Sequence, residues 1–229
     1  MSDYDWQNSM DARWLDRFPE WAIGYMEWRE YRGSYLRRNG ESPTDYLIAL
    51  WERPALRSQI LCPRIFISHR QADDQLARRV AWLAKTNGFD YWLDVEDPIL
   101  SALETDLEAT LNGHQRSLAV ACVIEMALLN CTHVVAVMTP GTPGSRWVPY
   151  EFGRVKDKRL VSLKAGSWVH PHVASSSLPE YLHLGQVTHN EQELDVWLKD
   201  EFRRWTLTHG SCLGGSRSSW GETVPPSLP

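Results

Sequence analysis

A tryptophan and a glutamate stand four residues apart in SRWVPYEFG, Ser145 to Gly153, just past an apolar run and a glycine/proline loop. At that spacing Trp147 and Glu151 share one face at the start of a helix. An acid there either complements the positive end of the helix dipole or does chemistry. Three other polar sets follow apolar runs: Ser68-His69-Arg70, Asp94-Val95-Glu96-Asp97, and the loop after Thr139. One acid, one indole, an Arg/His pair and an acidic strand end suit cleavage of an N-glycosidic bond to a cationic base. Such a reaction passes through an oxocarbenium-like state that a nearby carboxylate stabilises. The nicotinamide ring of NAD is a base of this kind, and an indole face can hold it by stacking and cation–π attraction. The ring departs neutral and needs no general acid, so one glutamate can suffice. In this scheme Glu151 is the catalytic carboxylate, Trp147 the ring platform and Arg70 a phosphate or ribose contact. Each residue also has a plain structural reading: Glu151 as a helix-start acid, Trp147 as core, Arg70 as a solvated charge, His69 as a cap, Asp94 as a turn residue.

Other chemistries find less support. The chain has no G-x-G-x-x-G, no G-x-x-x-x-G-K-[ST] and no G-x-S-x-G, so neither a dinucleotide fingerprint, a P-loop nor a nucleophile elbow is present. His170 and His172 form an H-x-H without an obvious third ligand, so no metal site and no bound cofactor are expected. A net charge of −5 without a basic stripe argues against nucleic acid. No apolar run approaches the roughly 18 residues of a membrane helix. The polar, acidic start MSDYDWQNSM does not read as a signal peptide. Cys62, Cys122, Cys131 and Cys212 lack metal spacing; Cys122 and Cys131 read as part of an apolar helix. Reduced, buried thiols and a cytoplasmic setting are the expectation.

The elements that must position these residues follow from periodicity. Trp21, Tyr25, Trp28 and Tyr35 lie on one face of a helix over 19–38, and Ser42-Pro43-Thr44 opens another bearing Tyr46, Leu47, Leu50 and Trp51. Residues 1–58 thus read as a helical extension whose aromatics cover a neighbouring domain or a partner. Ile65-Phe66-Ile67 is a short, wholly apolar strand suited to a parallel sheet. Asp73 or Asp74 opens a helix with Leu76, Val80, Leu83 and Ala84 inward, closed by Asn87-Gly88. Phe89 to Asp94 is the second strand. Helical patterns follow over Leu103, Leu107 and Leu111, then over Leu118, Cys122, Glu125, Leu128 and Leu129; Glu125 on that apolar face reads as structurally paired. Thr132 to Thr139 is the third strand, Arg159 to Ala165 the fourth, and Gln186-Val187 a short fifth. Asn190 with Glu193 makes a capping box before a helix carrying Leu194, Trp197, Leu198, Phe202 and Trp205. Residues 209–229 show no periodicity and read as a flexible tail. The prediction is an α/β domain over 60–208, a flavodoxin-like parallel sheet with flanking helices, whose ligands sit beyond the C-terminal strand ends.

RIFISHRQADDQLARRVAWLAKTNGFDYWLDVED resembles the opening of a Toll/interleukin receptor (TIR) domain, and THVVAVMTPGTPGSRWVPYE resembles its third strand and the W-x-x-x-E segment after it. The resemblance runs from about Pro63 to Trp205. It implies the TIR fold and, as in many bacterial and plant members, hydrolysis or cyclisation of NAD. It puts the family's catalytic glutamate on Glu151 and its tryptophan on Trp147. Its first-loop site residues fall on Ser68, His69 and Arg70, and the acid closing its second strand falls on Asp94. VPYEFGR looks most like bacterial TIR proteins of antiphage defence of the Thoeris type. Two features depart from the family: Val95 to Leu100 lacks the usual glycine, and the stretch between Asp94 and Thr132 is longer, with an extra helical segment.

Three functions of different classes follow. The first is a NAD-cleaving or cyclising enzyme, with NAD as substrate rather than cofactor. The second is a TIR scaffold that recruits partners without turnover, which would need neither Glu151 nor Trp147. The third is another N-glycosidic enzyme such as a deoxyribosyl transferase. An enzyme of the first kind would harm its own cell if always on. Low resting activity, raised by self-association through the TIR domain or the N-terminal helices, is therefore expected.

Overall fold

A computed structural model describes residues 63–97, 100, 117, 120–121, 123–125, 127–128, 131–155, 164–210 and 224–229. The expected N-terminal helices, the segment over Leu103 to Leu111, Cys62, Cys122 and Cys212 lie outside the described residues. The chain divides into two compact units, one of residues 1–60 with 96–130 and one of 61–95 with 131–229. In the first, the described residues of 117–128 are helical, and Val123, Ile124, Ala127 and Leu128 are buried. All the candidate site residues belong to the second.

That second unit is a five-stranded, all-parallel sheet flanked by helices, a flavodoxin-like α/β fold. Its elements are β1 (Arg64–Ser68), α1 (Asp74–Thr86), β2 (Asp90–Trp92), β3 (His133–Met138), α2 (Trp147–Val155), β4 (Ala165–Val169), β5 (Gln186–Thr188) and α3 (Glu191–His209). The strand order is β2-β1-β3-β4-β5. The order reverses beside β1 and β3, and in open α/β sheets such a point is where a ligand crevice forms.

Burial on both faces explains the unbroken apolar strands. Every residue of β1, β3 and β4 is buried. Ile65, Ile67, Val135, Val137 and Trp168 pack with Ala77, Val80, Ala81 and Ala84 of α1 and Leu194, Trp197 and Leu198 of α3. Helix α3 starts as the sequence requires. The Glu193 N–H donates to Asn190 Oδ1 at 2.9 Å, and the Glu193 carboxylate accepts from the Asn190 amide and the His189 N–H. Helix α1 ends at Asn87-Gly88, where Gly88 takes φ +93°, a left-handed conformation that favours glycine. Among the described residues no helix is long and apolar enough to cross a membrane.

Three expectations change. The fourth strand of the sheet is Ala165–Val169, which pairs with β3 from Val134↔Ala165 to Met138↔Val169; of the expected strand Arg159 to Ala165, residues 159–163 lie outside the described residues and Lys164 is in a turn. The sequence AGSWV hides this strand because Ala, Gly and Ser carry little strand propensity. Packing requires the small residues: a Cβ on Gly166 would come within 2.8 Å of the Trp197 ring. The free, buried Cys131 precedes β3 and is not helical, and burial pushes its thiol up to about 12. The end of the expected flexible tail is tied down. The Leu228 side chain enters the main core, its N–H donates to Glu191 Oε2 at 2.8 Å, and Arg79 donates to the Pro225 carbonyl at 2.9 Å.

Candidate active site

The site grows from the C-terminal ends of β1 and β3. Ser68 is the last residue of β1 and is fully buried, as the parallel ladder to Ala136 requires. Its hydroxyl donates to Glu151 Oε2 at 2.6 Å. Glu151 sits in the second turn of α2 and is 6% exposed, although it is an acid. The helix is held at its start by Ser145, whose Oγ accepts the Val148 N–H at 3.3 Å. Burial pushes the Glu151 carboxyl up to about 7; the Ser68 hydroxyl opposes this and the charge of Asp94 adds to it. A buried carboxyl poised near neutrality at the C-terminal ends of parallel strands is the environment that functional acids occupy. The dipole reading of Glu151 fits poorly, because a surface acid would gain that interaction without desolvation.

His69 and Asp94 form a second pair. His69 Nε2 lies 3.4 Å from Asp94 Oδ1, with the imidazole buried and the carboxylate about one-third exposed. The contact has ion-pair distance without hydrogen-bond geometry, and His69 Nε2 has no hydrogen-bond partner among the described residues. The other ring nitrogen, Nδ1, is 3.3 Å from the Ile67 carbonyl; that oxygen can only accept, so Nδ1 carries the proton. Asp94 opens a 3-10 turn, two residues beyond β2, and accepts the Val95 N–H at 2.8 Å. Its carboxyl is raised above the ordinary range, chiefly by burial, against the pull of His69. His69 therefore lies against Asp94 with its Nδ1 on the Ile67 carbonyl, and does not cap a helix.

Arg70 lies across the loop after β3. A Cβ on Gly141 would stand 1.4 Å from an Arg70 guanidinium nitrogen, so glycine is what lets the side chain settle there. The two loops are also tied directly, since the Thr139 hydroxyl donates to Asp73 Oδ2 at 2.9 Å. Thr142 turns the β3 loop, accepting the Thr139 N–H at 2.8 Å and donating to the Val137 carbonyl at 3.2 Å. From the sequence Asp73 reads only as a helix opener, and Gly141 and Thr142 only as part of the loop after Thr139. The glycine/proline run PGTPG marks this turn in the sequence, and the T-x-x-T spacing of Thr139 and Thr142 is the signal that could have shown how it is held.

Trp147 is not core. It is 40% exposed at the start of α2 and packs edge-to-face on the equally open Tyr150, with ring centroids 6.0 Å apart. The structure thus joins Ser68 to Glu151, His69 to Asp94, and Arg70 to the β3 loop, and leaves an aromatic pair on the helix that carries the acid. His170 and His172 stand ring to ring at 4.9 Å, and His170 Nδ1 is occupied by the His172 N–H. A shallow groove of about 480 Å³ beside β5 and α3, lined by Gln186, Asn190, Trp197 and Asp200 among others, contains none of the candidate residues. No protein-family model matches the chain, and no curated protein matches it.

Proposed function

We propose that this chain cleaves the bond between nicotinamide and ribose in NAD, in the manner of the TIR domains its motifs resemble. The observation that carries the reading is Glu151: a buried carboxyl at the end of a parallel sheet, hydrogen-bonded to Ser68, one turn along from an exposed tryptophan. The pyridinium ring stacks on Trp147. The bond from the ribose C1′ to the ring nitrogen breaks, and its electron pair neutralises the ring, which leaves as nicotinamide. The ionised Glu151 steadies the ribosyl cation. Water then gives ADP-ribose, or a second nucleophile of the same substrate gives a cyclic ADP-ribose-type product; either releases one proton. In this reading Arg70 holds the pyrophosphate and Asp94 the ribose hydroxyls. The setting these motifs imply is an antiphage signal or NAD depletion in a bacterial cytoplasm, with assembly of several copies raising the rate.

Because Glu151 acts ionised, kcat/KM falls as pH drops through about 7. Trp147→Ala lowers kcat/KM for NAD roughly 10- to 100-fold, the loss of a desolvated cation–π and stacking contact. Trp147→Phe keeps much of the activity. Since the ring is 40% exposed, the alanine variant unfolds within ~1 kcal/mol of wild type. Steady-state kinetics beside denaturant unfolding separates these effects. A large loss of stability with unchanged kcat/KM would return Trp147 to a packing role.

A further inference from the structure

We propose that Ser68 is a positioning residue: it decides which oxygen of Glu151 is free to work. A serine hydroxyl has one proton to give. Ser68 is fully buried and gives that proton to Glu151 Oε2 at 2.6 Å. Oε2 is therefore already occupied by an accepted hydrogen bond. If Glu151 took its own proton on Oε2, the buried serine O–H would be left with a hydroxyl oxygen as its acceptor, a poorer one than the carbonyl oxygen of a carboxylic acid or an oxygen of a carboxylate. Ser68 therefore favours the state in which Oε2 carries no proton. The proton, when present, stands on Oε1. Oε1 is the oxygen that titrates and the one left to face a reacting centre. The groups acting on this carboxyl are Ser68 from β1 and Asp94 from beyond β2, and Asp94 is itself faced by His69 and by Asp74 at the start of α1. Of these, only Ser68 touches Glu151 through a donated hydrogen bond. The assignment of Ser68 thereby changes from a substrate contact to a residue whose hydroxyl is spent within the protein. That Oε1 meets the ribose rests on the NAD reading; the hydrogen-bond assignment does not.

A hydrogen bond donated to a carboxylate favours its ionised form, so removing it moves the titration upward. The test is a carboxyl ¹³C NMR titration of the full chain with labelled glutamate, the Glu151 signal being the one missing from Glu151→Gln. Ser68→Ala moves the midpoint to higher pH by on the order of one unit. Ser68→Thr, which keeps the hydroxyl, titrates close to wild type. The acid limb of NAD turnover moves with the NMR midpoint. A role in packing alone would change stability and leave both midpoints in place. An unmoved Ser68→Ala midpoint, or a Ser68→Thr midpoint displaced as far as that of the alanine variant, overturns the proposal. Should the alanine variant fail to fold, Ser68→Cys has nearly the same shape and a weak donor, and gives the same upward movement. If the midpoint moves while wild type releases no nicotinamide, the positioning role stands and the NAD reading falls.

Discussion

Glu151→Gln stabilises the folded chain by about 3 kcal/mol at pH 8 and by almost nothing at pH 4. The acid is buried, and its folded value of about 7 stands above the ordinary 4.5. At about 1.36 kcal/mol per unit, that gap amounts to about 3 kcal/mol against the ionised folded state. Below pH 4.5 both folded and unfolded chains carry the proton, and Glu151 costs nothing. Between 4.5 and 7 the folded chain keeps a proton that the unfolded chain has lost, so stability falls as pH rises through this window. Above 7 the full cost is present. Glutamine is neutral throughout and still accepts from Ser68. Thermal unfolding at pH 8 therefore shows a gain of roughly 5–10 °C for the variant, shrinking to nothing by pH 4. A variant equal to or less stable than wild type at pH 8 would mean that Glu151 is not a strained, desolvated acid. A gain in stability from removing a polar group is the sign of a residue kept for function.

Leu228→Ala lowers stability by about 3 kcal/mol, although the residue is the second from the end of the chain. Its side chain is 8% exposed and belongs to the main core. Its backbone is fixed as well. Glu191 Oε2 accepts both the Leu228 N–H at 2.8 Å and the Arg79 Nε–H at 3.0 Å, and Arg79 reaches on to the Pro225 carbonyl. Arg79 lies over the Trp82 ring, 4.2 Å from its centroid, which holds the guanidinium in register. Removing residues 224–229 costs more than the alanine change, because the hydrogen bonds of Arg79 and Glu191 lose their partners too. Urea unfolding of the full chain, the point variant and the truncation measures both. A Leu228→Ala midpoint within ~0.5 kcal/mol of wild type would show that the last residues merely rest on the surface.

The parts of the fold that were legible in the sequence share one property: a periodic signal matched by burial. Ile65-Phe66-Ile67 and the run before Thr139 read as buried strands because parallel strands covered on both faces are wholly apolar. The stripe of Leu194, Trp197, Leu198 and Trp205 read as helix for the same reason. The fourth strand failed because its identity depends on tertiary fit: Gly166 and Ser167 look unlike strand until Trp197 and β3 are beside them. The tail failed because Leu228 is a single apolar residue in a proline-rich end, and no local pattern shows that Arg79 and Glu191 receive it. At the candidate site, the rule that ligands sit beyond the C-terminal strand ends singled out Glu151, Ser68 and Asp94. It could not show that Ser68 bonds Glu151 or that His69 lies beneath Asp94, because those contacts join residues far apart in sequence.

The most direct measurement is incubation of the purified chain, at high concentration, with NAD, beside Glu151→Ala and Glu151→Gln, with products resolved by mass-detected chromatography. The account predicts nicotinamide from wild type with one equivalent of ADP-ribose or a cyclic isomer, and loss of both with either variant. Base release from deoxynucleosides without any from NAD would instead assign a deoxyribosyl transferase. No nicotinamide from wild type, or undiminished release from Glu151→Ala, contradicts the account.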